Sequence, residues 1–254
     1  MSFEVRADAY GRFMGRYSEP LAAQFAALAD PSPGRRALDV GCGPGALTAQ
    51  LVTRLGTAAV CAVDPSPPFV AATRSRFPGL DVRQASAESL PFGAATFDVT
   101  LAQLVVLFMT DPVAGLREMA RVTRPGGMVG ACVWDHSSGG TGPLSTFWRA
   151  VLDLDPSARD ESGLAGVREG HLAELFAAAG LRDIEPAVLS VRSTFANFDE
   201  WWEPYTLGVG TAGDHMQSLD PAGREKLRTR CAALLPPDGP FEVTASAWTV
   251  TATA

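Results

Sequence analysis

A buried strand, a glycine-rich loop and a helix follow one another in residues 36–55, and this unit constrains the fold more than any other part of the chain. Residues 36–41 (RALDVG) have the apolar content of a buried strand, and residues 46–55 (ALTAQLVTRL) have helical character. Glycine allows the connecting loop to turn tightly and to approach a ligand without a Cβ in the way. We expect free N–H groups at the start of the helix to face a polar or anionic ligand group. The unit predicts an α/β fold with a binding site at a strand end.

The alternation of strands and helices continues along the chain, which favours parallel strands joined by helices. Further strands are predicted at residues 60–63, 80–84, 97–102, 128–134, 181–192 and 241–253. Helices are predicted at residues 67–77, 112–122, 143–152 and 169–179, with a turn at residues 125–127 (PGG). The predicted fold class is α/β, with a Rossmann-like, seven-stranded, mostly parallel sheet sandwiched by helices.

The second half of the chain is less regular than the first. Residues 135–168 contain the loop HSSGGTG, and residues 193–240 form a helical stretch interrupted by glycine and proline. Such inserts at strand ends are where α/β proteins build substrate pockets. We therefore predict one domain over residues 1–254, with a helical lead-in (1–35), a ligand-binding core (36–134) and two helical lid inserts (135–168 and 193–240).

The charge of the chain excludes some partners. Its 254 residues carry a net charge of −7 and no basic run, so neither nucleic acid nor an anionic membrane is expected as a partner. Residues 1–20 lack the apolar core of a secretory signal, and no apolar stretch is long enough to cross a bilayer. The four cysteines are widely spaced, which predicts reduced thiols in a cytoplasmic protein without a metal site.

Two acidic residues accompany the glycine loop. Asp39 stands two residues before Gly41, and Asp64 follows the next predicted strand, about twenty residues after the loop. A carboxylate at the second position can accept hydrogen bonds from both hydroxyls of a ribose. With Ala46, the loop also satisfies the loose dinucleotide pattern Gly-x-Gly-x-x-Ala. These residues alone therefore leave a dinucleotide and other nucleoside ligands open.

Three motifs in order carry a resemblance to a known family. Asp39–Gly45 (DVGCGPG) resembles the acid-x-Gly-x-Gly-x-Gly signature of class I S-adenosylmethionine-dependent methyltransferases. Glu88–Phe92 (ESLPF), followed by Phe97-Asp98, is similar to the adenine-side segment of that family, and Arg124–Gly127 (RPGG) to the turn before its fifth strand. The resemblance covers residues 37–134 and points to the small-molecule branch with type 11 domains, which includes ubiquinone-biosynthesis methyltransferases. Tyr10–Ser18 resembles the lead-in helix of one bacterial subgroup.

The resemblance implies an enzyme that transfers a methyl group from S-adenosylmethionine to a small, fairly apolar molecule. It implies that the methionine part of the cofactor lies over Asp39 and that the ribose is held by Asp64. The other cofactor-binding residues that it implies are Gly41, Cys42, Gly43, Gly45, Pro65, Ser86, Ala87, Glu88 and Gln103.

One position departs from the family pattern. Where many members have Gly-Asp-Ala-Glu, this chain has Ala85-Ser86-Ala87-Glu88. Ser86 replaces an acid that would accept a hydrogen bond from the adenine amino group, and a neutral hydroxyl accepts more weakly than a carboxylate. We therefore expect a lower cofactor affinity and not a different cofactor.

Three residues outside these motifs are further candidates for the site. Arg16 and Tyr17 could line the cofactor's carboxylate and the substrate mouth, or could be ordinary helix residues. His136 follows the fifth predicted strand, where a general base could take a proton from the acceptor; the alternative is a loop residue without a chemical role. The aromatic residues of 199–205 (DEWWEPY) either pack the second insert or form an apolar substrate wall.

Two other functions stay open on the sequence. An NAD-dependent oxidoreductase could use the same glycine loop, but the chain has no Tyr-x-x-x-Lys, and its only lysine is Lys226. A non-catalytic domain that binds the cofactor would combine an intact loop with an occluded pocket. The sequence leaves open the oligomeric state, the identity of the acceptor and the choice among O-, N- and C-methylation.

Overall fold

The computed structural model describes residues 11–254. Over this range the chain forms nine α-helices: α1 (Arg16–Ala29), α2 (Ala46–Leu55), α3 (Pro67–Arg76), α4 (Pro112–Val122), α5 (Ser145–Leu154), α6 (His171–Ala178), α7 (Phe198–Trp202), α8 (Gly210–Ser218) and α9 (Pro221–Ala233). Shorter helical turns lie at Gly11–Gly15, Thr57–Ala59, Val106–Phe108 and Glu203–Leu207. The start of the predicted lead-in, including Tyr10, lies outside the described residues.

Seven strands form one sheet in the order β3-β2-β1-β4-β5-β7-β6. They are β1 (Ala37–Val40), β2 (Val60–Asp64), β3 (Asp81–Gln84), β4 (Phe97–Gln103), β5 (Thr123–Trp134), β6 (Arg182–Phe195) and β7 (Phe241–Thr253). Strands β1 to β5 are parallel, and β7 runs antiparallel to both β5 and β6. The strand order reverses between β1 and β4, and ligands of such sheets bind beyond the carboxyl ends at that reversal.

Helices cover both faces of the sheet because its apolar side chains point both ways. One core group contains Phe25 of α1 and Leu51 of α2. The opposite group contains Leu116 of α4 and Phe176 of α6. All four side chains are fully buried. The structure thus confirms the predicted fold class, a Rossmann-like sheet sandwiched by helices.

The predicted elements agree with the observed ones to within a few residues, with one exception. The segment Pro125–Gly127, predicted as a turn before the fifth strand, lies within β5. The pairing of β4 with β5 shifts register between Phe97 and Val99. Pro125–Gly127 therefore form an irregularity inside β5. Gly127 is required there, since a Cβ would lie 2.7 Å from the carbonyl oxygen of Asp98.

Both inserts emerge at the same edge of the sheet. Because β5 and β6 are each antiparallel to β7, they run in the same direction and end on the same side. Residues 135–168 follow the carboxyl end of β5 and contain α5. The second insert starts slightly later than predicted, because β6 continues to Phe195, and it contains α7, α8 and α9. The glycine loop after β1 opens at this same edge.

Two further findings concern membranes and metals. Within residues 11–254, no helix combines the length and the hydrophobicity needed to cross a bilayer. Over the same range, no group of three or more His, Cys, Asp or Glu residues is arranged to hold a metal ion.

The cysteines at 42, 61, 132 and 231 are all buried and free of disulfides.

Asp98 stabilises the opposite edge of the sheet. Its buried carboxylate accepts hydrogen bonds from Nη1 of Arg35 (2.8 Å) and from the backbone N–H of Arg36 (2.7 Å), and Nη1 of Arg124 lies 2.8 Å away. Burial alone would raise the pKa of Asp98, but these hydrogen bonds and positive charges outweigh it and lower the pKa. Asp98 is the second residue of β4, at the end away from the glycine loop, so its role in the Phe97-Asp98 motif is structural.

Replacing Asp98 by Asn should destabilise the fold by about 2 kcal/mol at neutral pH, because the two arginines lose a buried carboxylate. A lowered pKa in the folded state means that the carboxylate contributes stability above its unfolded pKa of about 4 and loses that contribution as the pH falls. Urea unfolding at neutral and acidic pH measures both effects. Stability should fall less steeply with acid in Asp98→Asn than in the wild type; equal slopes would contradict this account.

Candidate functional site

The carboxyl ends of β1, β2 and β4 surround a cavity of about 550 Å³. They meet because parallel strands end at one edge and the strand order reverses there. The cavity is lined by Gly41, Gly43, Asp64, Pro65, Phe69, Ser86, Ala87, Glu88, Gln103, Leu104, Val105, Leu107, Phe108, Met109 and Thr110. Most residues predicted to bind a cofactor are therefore brought together here. The predicted residues outside this lining are Asp39, Cys42, Gly45, Arg16 and Tyr17.

The N–H groups of the glycine loop are bonded within the protein. The N–H groups of Gly41 and Cys42 donate to Val63 O (2.8 and 2.9 Å). The N–H of Gly43 donates to Asp64 Oδ2 (2.8 Å), and that of Gly45 donates to Cys42 O (2.9 Å). Pro44 has no N–H to offer. The loop residues before α2 therefore keep no unbonded backbone donor for a ligand. The prediction that N–H groups at the start of α2, from Ala46 onward, face a polar or anionic ligand group stays a prediction.

The three loop glycines have positive φ angles but different surroundings. A Cβ on Gly41 would lie 2.3 Å from a methyl carbon of Val105, and a Cβ on Gly45 would lie 2.7 Å from the ring of Phe77. A Cβ on Gly43 would meet no described atom within 4 Å. Gly41 and Gly45 are therefore needed for close packing. Gly43 keeps open space beside the cavity.

Asp39 lies beneath the loop and is only 1% exposed. Its Oδ2 accepts a hydrogen bond from the hydroxyl of Thr48 on α2 (2.6 Å), whereas Oδ1 has no hydrogen-bond partner among the described residues. Burial raises the pKa of Asp39 to about 7, and the hydrogen bond from Thr48 opposes this while the charge of Asp64 adds to it. A positive group placed nearby would favour the charged carboxylate.

Asp64, the last residue of β2, connects the glycine loop to the start of α3. Its Oδ2 accepts from the N–H of Gly43 and its Oδ1 from the N–H of Ser66, each at 2.8 Å. Burial raises the pKa of Asp64, and these two hydrogen bonds oppose the rise. Each carboxylate oxygen has more than one acceptor site. Asp64 can therefore accept further hydrogen bonds from a ligand in the cavity that it lines.

Gln103 ends β4 and connects the cavity to α1. Its Nε2 donates to the carbonyl oxygen of Ser18 (2.9 Å), which fixes the orientation of the amide. Its buried Oε1 has no hydrogen-bond partner among residues 11–254. Because a buried acceptor without a donor is costly, this atom marks a place where a ligand donor would be stabilised.

The segment after β3 supplies the outer wall of the cavity. Ser86 and Ala87 line it together with Pro65. Oε1 of Glu88 accepts a hydrogen bond from the backbone N–H of Thr110 (2.8 Å), at the segment that leads into α4. Glu88 therefore ties two walls of the cavity together.

Arg16 and Tyr17 lie in the joint between α1 and the second insert. The guanidinium of Arg16 pairs with Glu200 (2.7 Å) and stacks over the ring of Phe195 at 4.2 Å. Tyr17 is 4% exposed and packs edge-on against Trp134. This arrangement agrees with the alternative that both are helix-packing residues, since Arg16 is paired with the second insert and Tyr17 with β5. Cys42 and Gly45 are likewise loop-packing residues outside the cavity, Cys42 being buried with its thiol 3.9 Å from the Thr73 hydroxyl.

A second cavity of about 50 Å³ adjoins the first. The two share Leu104, Leu107 and Phe108. The other walls come from the turn before α1, the end of β5 and both inserts: Phe13, Met14, Trp134, His136, Leu144, Glu161, Val209, Gly210 and Thr211. Among the described residues of this lining, only His136 and Glu161 are ionisable. The second cavity is thus apolar apart from this pair and Thr211.

His136 is buried where the loop after β5 enters the second cavity. Its backbone N–H donates to Val167 O (3.2 Å), and the neighbouring Asp135 accepts the N–H of Thr141 (3.0 Å), which holds the loop. Nδ1 of His136 lies 3.5 Å from Oε2 of Glu161. Burial lowers the pKa of His136, while the negative charge of Glu161 opposes this. The imidazole is therefore neutral at neutral pH.

Glu161 connects His136 to both inserts, and the sequence did not reveal it. Its Oε2 accepts from the indole N–H of Trp148 on α5 (3.2 Å), and its Oε1 accepts from the hydroxyl of Thr211 on α8. Only 5% of Glu161 is exposed. An isolated acid in a loop carries no sequence signal for this role, because its partners are distant in the chain.

The aromatic residues of the second insert pack the insert onto the protein. Trp201, Trp202 and Tyr205 are buried, and the ring of Tyr205 stacks on that of Phe147 in α5 with centroids 4.6 Å apart. None of the three lines either cavity. The packing alternative, and not the substrate wall, agrees with this arrangement.

Comparisons with known proteins agree with this geometry. Residues 38–130 match the sequence profile of a family described as a methyltransferase domain. An uncharacterized methyltransferase of Mycobacterium tuberculosis is 37% identical over 135 residues, which are 53% of this chain and 52% of that protein. The nocamycin O-methyltransferase of Saccharothrix syringae is 28% identical over 197 residues, 75% of this chain and 64% of that protein. The chain thus spans less than two thirds of the length of these curated relatives.

A solved structure shares the fold. Haemonchus contortus phosphoethanolamine N-methyltransferase 2, in complex with phosphomonomethylethanolamine and S-adenosylhomocysteine, has a TM-score of 0.59 and 16% identity, covering 97% of this chain and 56% of its own. At this identity the likeness concerns the fold alone. The domain match, the relatives and the arrangement of the acidic residues around the glycine loop together support the resemblance of this chain to class I S-adenosylmethionine-dependent methyltransferases.

Proposed function

We propose that this chain transfers a methyl group from S-adenosylmethionine to a hydroxyl group of a small, uncharged and fairly apolar molecule. The observation that carries the proposal is the pair of adjoining cavities. One, of about 550 Å³, lies beside the glycine loop and Asp64, and the other is a small apolar space that His136 lines. The first suits a nucleoside with a positive charge, and the second suits a compact acceptor.

The large cavity fits S-adenosylmethionine by its acceptors. The cofactor carries a sulfonium, an ammonium and two ribose hydroxyls. Asp64 offers acceptor sites for the hydroxyls. Gln103 Oε1, which lines the cavity and lacks a partner among the described residues, is suited to the positively charged end. The buried carboxyl group of Asp39, beneath the loop and outside the lining, would favour that charge from below. No arginine or lysine of the described chain lines this cavity, so no side-chain cation there repels a positive ligand.

The remaining lining divides between the two ends of the cofactor. Gly41 and Gly43 offer a wall without side chains on the methionine side, as their sequence motif implies. Pro65, Ser86 and Ala87 offer a weakly polar wall for the adenine. Ser86 can accept one hydrogen bond from the adenine amino group, but more weakly than a carboxylate would.

The loop argues against a dinucleotide. The N–H of Gly43, which could otherwise face a pyrophosphate, donates to Asp64, whose charge would repel a phosphate. Lys226 is exposed on α9 and lines neither cavity. A non-catalytic domain with an occluded pocket is also disfavoured, because the first cavity is open and large.

The protein's part in the reaction is to hold the acceptor hydroxyl and to remove its proton. When bound, the cofactor supplies a methyl group on a positively charged sulfur. His136 is the candidate general base, because burial keeps its imidazole unprotonated at neutral pH. Glu161, beside Nδ1, orients the ring so that Nε2 is available, and its charge stabilises the imidazolium after proton transfer. The apolar walls keep water from competing.

The small cavity favours an uncharged acceptor. No arginine or lysine among its described lining residues could pair with a phosphate or a carboxylate. Glu161, the acid of this lining, accepts hydrogen bonds from Trp148 and Thr211 and lies against His136. The phosphomonomethylethanolamine of the Haemonchus complex would find no cation here.

Replacing Asp64 by Ala should weaken S-adenosylmethionine binding by roughly 100-fold, because hydrogen bonds to a charged carboxylate are lost. Titration calorimetry with S-adenosylmethionine, S-adenosylhomocysteine and NAD measures the effect. Asp81→Ala is the matched control, since Asp81 pairs with Arg83 on the surface and lines neither cavity. Binding of NAD in place of the two sulfur compounds would contradict the proposal.

Replacing Asp39 by Asn should stabilise the free protein and weaken cofactor binding. The pKa of Asp39 is raised from 3.8 to about 7 on folding. The protonated carboxyl group therefore contributes stability at low pH, and this contribution is lost as the pH rises from 3.8 to about 7. Asn removes this loss of folding stability at higher pH, but it also removes the negative charge that favours a cationic ligand. Thermal unfolding from acidic to mildly alkaline pH, with and without S-adenosylmethionine, tests both effects. A variant that is no more stable at alkaline pH, or that binds equally well, would refute this role.

Replacing His136 by Ala should slow methyl transfer by about 100-fold or more while leaving S-adenosylmethionine binding unchanged. The wild-type rate should rise with pH through a pKa below the usual histidine value and then stay constant, because the neutral ring is the base. Transfer of a labelled methyl group to a panel of phenols and alcohols measures the rate. His171→Ala is the control, since that ring only accepts the N–H of Gly166 (3.3 Å) away from both cavities. An unchanged rate in the His136 variant would exclude the base.

A further inference from the structure

Leu104 has an unusual backbone conformation. Its φ angle is +62°, in the left-handed region that leucine rarely adopts. Among residues 11–254, three other non-glycine residues have positive φ, namely Asp30, Ala95 and Asp183. Those three are exposed, whereas Leu104 is only 7% exposed. A buried leucine in this conformation costs free energy and must be held by its surroundings.

The structure holds residues 103–105 from three sides. The amide of Gln103 donates to Ser18 O on α1 (2.9 Å), and the N–H of Leu104 donates to Cys132 O on β5 (2.8 Å). The side chain of Val105 fills the space beside Gly41, where any Cβ would collide with it at 2.3 Å. The left-handed backbone is therefore fixed by contacts to a helix, a strand and the glycine loop.

This fixed residue lies where the two cavities meet. Leu104 lines both of them, together with Leu107 and Phe108. Its side chain belongs to the same apolar core as Phe13 and Trp134, which form walls of the smaller cavity. Backbone strain at such a junction is typical of a position that serves function and not stability.

We propose that Leu104 determines acceptor specificity: its side chain, held by the left-handed backbone, divides the cofactor cavity from the acceptor cavity and limits acceptors to compact phenols and alcohols. The inference rests on the proposed methyl transfer, because it assigns the acceptor to the smaller cavity. The volume of about 50 Å³ admits only a small group beside His136. A larger acceptor would have to displace the leucine side chain from the apolar core in which it packs with Phe13 and Trp134.

The strain has a test that needs no ligand. Leu104→Gly and Leu104→Ala both remove the side chain, but only glycine tolerates the left-handed backbone. Leu104→Gly should therefore melt at or above the temperature of Leu104→Ala. The control pair is Leu80→Gly and Leu80→Ala, at a leucine that is 8% exposed, has no positive φ and lines neither cavity; there glycine should melt lower than alanine. The same order at both positions would overturn the premise of strain.

The selectivity is tested with phenol and 4-phenylphenol as probes. Calorimetry on protein saturated with S-adenosylhomocysteine gives the ratio of their affinities. Wild type and Leu80→Ala should favour phenol, and both Leu104 variants should shift the ratio toward 4-phenylphenol by about tenfold. An unchanged ratio, or no binding of phenol to any of these proteins, would overturn the assignment.

The two proposals fail in different ways. If the probes bind with the expected ratios but no labelled methyl group is transferred to any of them, the methyl transfer to hydroxyl groups is wrong and the role of Leu104 in selecting ligands stands. If transfer to phenols occurs with the same size preference in wild type, Leu104→Ala and Leu104→Gly, the role of Leu104 is wrong and the transfer stands.

Discussion

Closure of the glycine loop by acceptors from β2 is the interaction on which the rest of the site depends. Val63 O and the Asp64 carboxylate take up the N–H groups of Gly41, Cys42 and Gly43. This fixes the loop at the carboxyl edge of the sheet and leaves Asp64 directed at the cavity. The same bonds remove the donors that would bind a phosphate. A loop shape common to several nucleotide-binding proteins is thereby suited to a ligand with a positive charge.

Buried carboxyl groups serve the two cavities in different ways. Asp39 has one oxygen without a partner among the described residues, and its pKa is raised to about 7, so its ionised form opposes folding but would favour a cation above it. Glu161 has both oxygens engaged by Trp148 and Thr211 and can therefore hold the ring of His136 in one orientation. The buried carboxyl group of Asp39 thus lowers the stability of the fold beneath the larger cavity. The hydrogen bonds of Glu161 instead fix the side chains beside the smaller cavity.

The inserts complete the site because of the direction of the last strands. With β5 and β6 running the same way, both inserts leave the sheet beside the glycine loop. Glu161 from the first insert and Thr211 from the second then meet at the wall of the smaller cavity. The smaller cavity is therefore enclosed by loop and insert segments, which are the most variable parts of such folds.

The sequence by itself determined the α/β sandwich and predicted most of the residues that line the larger of the two cavities described above, because strand–loop–helix patterns and the acids beside them act over a few residues. Only the tertiary structure decided that the loop N–H groups are bonded internally, that Arg16 pairs with the second insert while Tyr17 packs against Trp134, and that β5 begins before Gly127. It alone brought Glu161 to His136 and forced Leu104 into a left-handed backbone. These features depend on contacts between segments far apart in the chain, and such contacts follow from how the helices and inserts pack, which no local pattern encodes.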